Sequence, residues 1–107
     1  MTGAERIAAE RQRQIEVEGW TAEHDRGHAE DGSGAGALVW AAICYATPPS
    51  DRRTSPMPFF GDSGVPREWP WDSKWWKPGE RIRELEKAGA LIAAEIDRLE
   101  VERELTE

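Results

Sequence analysis

Apolar positions in this chain follow helical spacing in three stretches and lose it between them. From about Gly3 to Glu18, Ile7, Arg11, Ile15 and Glu18 share one stripe that is poor in apolar residues, which predicts a partly buried helix. Thr2-Gly3-Ala4-Glu5 has the spacing of a capping box at its start, and Gly19 suits the left-handed geometry of a helix end. Trp20 opens a junction, and Thr21 is placed to cap a short turn over 22–27.

A second helix is predicted from about Gly34 to Ala46. There Leu38, Ala41, Ala42 and Tyr45 form one stripe and Ala37, Trp40 and Cys44 another, so most sides are apolar and the helix is expected to be buried. Pro48-Pro49 ends it. The last helix is expected to begin at Pro78, where a missing amide costs nothing, and to run to about Arg103. Its positions Ile82, Leu85, Gly89, Ile92, Ile96 and Leu99 alternate by three and four, close to three heptads. Gly89 in that seam costs about 1 kcal/mol against Ala and so predicts a close approach. No strand pattern is present. The fold class is therefore all-α, one small domain over 1–107, with three main helices and a long Pro/Trp-rich loop before the last.

That loop, Thr47 to Lys77, holds six of the seven prolines. About 47–67 reads as a mobile Pro-rich insert, whereas Trp69 to Trp76 is too aromatic to remain in water. Four of the six tryptophans fall in those eight positions. Each can bury on the order of 200 Å2, so they can serve as a hydrophobic plug, and one or more can line a ligand surface.

Charge sharpens the picture. The net charge is -7, from 21 acidic and 14 basic residues, which excludes broad nucleic-acid binding of the kind that needs a basic footprint. The sign is uneven: Arg67 to Lys87 holds six basic and five acidic residues, and Glu95 to Glu107 two basic and six acidic. Lys77, Arg81 and Arg83 stand at the start of the last helix, where free amides and cations together favour an anion. Beside them, Trp20, Trp71, Trp75 and Trp76 can stack on a base, and His24 can hydrogen-bond. The opposing reading pairs these cations with Glu80, Glu84 and Glu86. No membrane span or signal sequence is predicted, and a single Cys44 forbids an intrachain disulfide, so a cytoplasmic protein is expected.

A second constellation is acidic. His24 and His28 sit four apart, with Glu23 and Asp25 beside them, the spacing of two metal ligands on one helical face. Joined to Glu16 and Glu95, these residues invite comparison with all-α magnesium-dependent nucleotide pyrophosphohydrolases. Glu16-x-Glu18 and Glu95-x-Asp97 do not have the paired spacing of that class, because residues two apart do not share a face. The leading expectation has no cofactor; magnesium belongs to the alternative.

Glu18-Gly19-Trp20-Thr21-Ala22-Glu23-His24-Asp25 with His28, and Trp69-Pro70-Trp71-Asp72, Trp75-Trp76-Lys77-Pro78 and Lys87-Ala88-Gly89-Ala90-Leu91-Ile92, resemble a family of small phage and prophage proteins. The resemblance covers most of the chain outside Thr47 to Arg67 and carries no known activity with it. It implies a phage accessory protein in the host cytoplasm. By analogy of size and setting, such proteins include homo-oligomers that sequester nucleotide immune signals without cleaving them. The leading expectation is thus a non-enzymatic homo-oligomer binding a small anionic, nucleotide-like ligand. The alternatives are the magnesium hydrolase and an inhibitor that binds a host defence protein.

Overall fold

The computed structural model describes residues 1–24, 36–54 and 64–106. Within them the fold is all-α: α1 spans Gly3–Glu18, α2 Ala37–Ala46 and α3 Arg81–Thr106, with 3-10 turns at Pro49–Asp51 and Ser73–Trp75. The only extended pairing among the described residues is one isolated bridge between Thr54 and Pro66.

Local chemistry sets the helix ends. Thr2 Oγ1 accepts the Glu5 amide at 3.1 Å while Glu5 Oε1 accepts the Thr2 amide at 2.9 Å, closing the predicted capping box. Gly19 takes φ 74° as the stop. Thr21 Oγ1 accepts the His24 amide at 3.2 Å, and residues 22–24 are helical; the rest of that predicted turn lies outside the described residues. The second helix begins at Ala37, three residues later than the spacing predicts, because Gly36 at φ 76° is left-handed; 34 and 35 lie outside the described residues. The last helix likewise starts at Arg81 and not at Pro78, since the Glu84 carboxylate reaches back to accept the Gly79 amide at 3.3 Å.

The long helix α3 is the hub. Both α1 and α2 pack on it, and they do not pack on each other. The α2 contact is apolar: Leu38, Ala41, Ala42 and Tyr45 meet Ala88, Leu91 and Ala94. Six of the ten buried apolar side chains among the described residues are alanines, so the helices come close but the core stays thin. The α1 contact is largely polar. Arg6 pairs with Glu86 at 3.2 Å, Arg83 with Glu10 at 2.7 Å and Arg11 with Asp97 at 3.0 Å. A tight apolar point in it is Gly89, where a Cβ would stand 2.5 Å from Ile7 Cδ1. No helix among the described residues is long and apolar enough to cross a membrane.

The heptad seam is not the core. Ile82, Leu85, Ile92, Ile96 and Leu99 are each between 45% and 55% exposed, and the buried α3 positions are Glu84, Ala88, Ala90, Leu91 and Ala94. Trp40, expected inside, is also half exposed. The smaller residues win the interior because only they let α2 approach this closely.

Candidate functional site: an aromatic cavity

Trp69 organises the loop before α3. Its indole N–H donates to the Asp72 carbonyl at 3.0 Å, and the Asp72 carboxylate accepts the Lys74 amide at 3.0 Å. These two bonds curl 69–75 into a compact turn. Trp69 then meets Trp71 edge-on at 5.4 Å, Trp76 at 5.1 Å and Tyr45 at 5.6 Å, while Tyr45 and Trp76 stack at 4.7 Å. Such contacts add about 0.5–1.5 kcal/mol each beyond the area they bury. Trp71 also approaches Trp20 at 6.2 Å, which links the loop to the end of α1. The Arg11 guanidinium donates to the Trp20 carbonyl at 2.8 Å and holds that junction.

The turn roofs a cavity of about 710 Å3 between α1, α2 and α3. That volume lies within the range of small-molecule sites. Trp20, Trp69, Trp71 and Trp75 supply an aromatic wall, with His24 beside it. Leu38, Tyr45 and Leu91 form the apolar base, and α1 contributes Glu10, Arg13, Gln14 and Glu18. Lys77 and Lys87 enter from the loop and α3.

The charges on this lining are not equivalent. Arg13 bonds both Glu10 oxygens, at 2.8 and 3.0 Å, and also Glu18 at 3.1 Å, so all three of these groups are ion-paired. Burial pushes the Glu10 carboxyl up, but hydrogen bonds from Arg13 and Arg83 outweigh it and hold the group below its ordinary range. Asp72 is occupied by its own turn. Lys77 and Lys87, by contrast, form no ion pair among the described residues. Lys87 donates to the Lys77 carbonyl at 2.9 Å and lies 5.3 Å from the Tyr45 ring. Burial first, and the nearby Arg83 charge second, lower its pKa. Gln14 is buried in the wall, and its Oε1 has no hydrogen-bond partner.

The sequence-predicted residues therefore divide. Trp20, His24, Trp71, Trp75 and Lys77 line the cavity. Trp76 is packed between Tyr45 and the Arg52 guanidinium, 5.0 Å from its ring centre, and does not line it. Arg81 serves the end of α2: it donates to the Tyr45 carbonyl at 2.9 Å, to Thr47 at 3.2 Å and to the Ala46 carbonyl. Arg83 lies behind the wall, paired with Glu10 and with Glu86 at 3.0 Å. Of the acidic set, Glu16 accepts from Gln12 at 2.7 Å, Glu95 pairs with Arg98, and Glu23 is exposed. Asp25 and His28 lie outside the described residues. No group of three metal-ligating side chains forms among the described residues.

Reasoning from spacing missed Arg13, Gln14, Tyr45 and Lys87. One signal was available for α1: its inward stripe carries Glu10 and Gln14, four apart, where an ordinary helix would put aliphatics. Lys87 and Leu91 likewise fall off the heptad seam on the same face as each other. No family model, curated protein or solved structure matches this chain.

Proposed function

We propose that this chain is a binding protein for a small anionic, nucleotide-like ligand, held in the tryptophan-walled cavity without being cleaved. One observation carries the reading: the cavity places an aromatic wall beside two ammonium groups that form no ion pair among the described residues. Stacking on an aromatic face is worth about 1–3 kcal/mol per base and tolerates any base, because every base has a π-face. A phosphate brought to Lys77 and Lys87 would relieve the repulsion that Lys87 feels from Arg83 and Arg13. In this reading Trp20, Trp71 and Trp75 stack, Lys77 and Lys87 hold the anion, and His24 hydrogen-bonds at the rim. Arg81 and Arg83 shape the site from behind. The resemblance to phage proteins adds the setting: an accessory protein that sequesters a host nucleotide signal.

A thermal-shift panel of nucleoside mono- and diphosphates and cyclic dinucleotides tests this, with Trp71→Ala and Lys77→Ala as controls. A rise in Tm with one class of nucleotide, lost in both variants, is the expected result. No shift with any anionic ligand would sink the reading. Metal-dependent, EDTA-sensitive turnover of the nucleotide would replace it with the hydrolase.

A further inference from the structure

We infer that Gln14 selects the base of the ligand: its side-chain carbonyl accepts from an exocyclic amine, so the cavity prefers amino-bearing nucleotides to their amine-free counterparts. This rests on the ligand reading above and sharpens it from an anion to a class of base.

Among the described residues, Gln14 Oε1 is the one buried side-chain nitrogen or oxygen atom without a hydrogen-bond partner. The residue is 2% exposed and yet lines the cavity. Buried polar groups are nearly all bonded, so an orphan in a ligand-sized cavity calls for an explanation. Its neighbours on the same face of α1 are fully employed. One turn earlier, Glu10 takes Arg13 on both oxygens and Arg83 at 2.7 Å; one turn later, Glu18 takes Arg13. Gln14 alone on that wall has bonding capacity left for a ligand.

Charge decides which end of the carboxamide is left over. Gln14 Nε2 lies 3.5 Å from Glu10 Oε2. Arg13 and Arg83 keep Glu10 ionised, so turning the amide over would set a carbonyl oxygen against a carboxylate. The spare group is therefore an acceptor, and it requires a donor.

That requirement separates ligand classes. A fully ionised phosphate, sulfate or carboxylate satisfies Lys77 and Lys87 but has no hydrogen to offer Gln14. An exocyclic amine does, and it projects from the ring edge, so it can reach the wall while the ring faces stack on tryptophan. The keto oxygen that uracil carries where cytosine has its amine would meet Gln14 oxygen to oxygen. A site that uses a buried polar group in this way discriminates against the analogue lacking the partner.

Calorimetric titration of the unaltered chain with three matched pairs of 5′-monophosphates tests this. The pairs are adenosine and purine riboside, cytidine and pyrimidin-2-one riboside, and guanosine and inosine; the members of each differ by one amino group. In at least one pair the amino member should bind about ten-fold more tightly. Gln14→Met keeps an unbranched stem of similar length and removes the carbonyl; with helical CD unchanged, it should bring that ratio to about one. The pairs on the unaltered chain decide the matter alone should the variant not fold. Equal affinities within every pair, as when a water serves Gln14 whatever the base, would overturn the role of Gln14 and leave the nucleotide reading standing. A ratio that persists in folded Gln14→Met would assign the selectivity to another group and overturn it equally. Binding of uridine 5′-monophosphate alone would also defeat the inference but not the nucleotide reading, whereas no binding of any nucleotide would remove both.

Discussion

The arginines and the lysines around the start of α3 are close neighbours in sequence and have opposite employment. Arg81 and Arg52 hold the carbonyls at the end of α2, with the buried Glu84 carboxylate between them at 3.3 and 3.1 Å. Arg83 is fastened to Glu10. Lys77 and Lys87 carry no carboxylate among the described residues and face the cavity. The difference follows from the two head groups. A planar guanidinium offers five donors in a fixed fork and can serve several carbonyls and a carboxylate at once, whereas an ammonium is a compact point charge. The chain spends its forks on structure and leaves its point charges at the site.

The strongest way to break this contrast is at Glu84. Its carboxyl is pushed up by burial, but hydrogen bonds from Arg52, the Gly79 amide and Arg81 overcome that and hold it below the ordinary glutamate value of 4.5. Glu84→Gln leaves the buried Arg52 charge without its counter-ion, and should cost about 3–5 kcal/mol by urea denaturation. A loss below about 1 kcal/mol would show that the clasp is incidental. The same arrangement predicts acid sensitivity. Glu84 and Glu10 both titrate lower in the folded chain than in the unfolded one, so the unfolded state takes up protons first. Their stabilisation is complete above pH about 4.5 and is lost as pH falls through the lowered values. Urea midpoints should therefore hold from pH 7 to 5 and drop below that. A flat profile down to pH 3 would contradict it.

At the lysines the expected effect moves from stability to binding. Lys77→Ala removes an exposed side chain, so stability should change by no more than about 0.5 kcal/mol. Nucleotide affinity by calorimetry should fall on the order of ten-fold, about 1.4 kcal/mol. Lys87→Met keeps the stem against Tyr45 and should weaken binding similarly. Unchanged affinity in both variants would leave the lysines without the role assigned to them.

Much of this was legible from sequence, for local reasons. The Thr2–Glu5 box, the Gly19 stop, the three helices and the Pro/Trp-rich loop before the last rest on chemistry within a few residues. Gly89 indeed marks a close approach, with Ile7 pressed against it. The heptad seam also reads directly, but its destination does not: periodicity says that a stripe wants a partner and not whether the partner lies in the same chain. The cavity was half legible. Trp71, Trp75 and Lys77 announce themselves by composition, whereas Arg13, Gln14 and Lys87 reach the site only through the crossing of α1 over α3. Arg81 and Arg83 misled because the sequence places them at a helix start without showing that the α2 carbonyls and Glu10 arrive there first.

The smallest effect separates the two head groups most directly. Arg81 donates to carbonyls of residues 45, 46 and 47 from one fork, a set no single ammonium can serve in that geometry. Arg81→Lys preserves the charge and still loses most of those bonds, so it should cost about 1 kcal/mol of stability. Glu84 retains Arg52, which keeps the loss well below that of Glu84→Gln. Ligand affinity should not move, because Arg81 does not line the cavity. The reciprocal change, Lys77→Arg, should leave both stability and affinity near their starting values, since an exposed anion site accepts either cation. An affinity loss in Arg81→Lys with stability unchanged would reverse the assignment and place the Arg81 fork on the ligand instead of on α2.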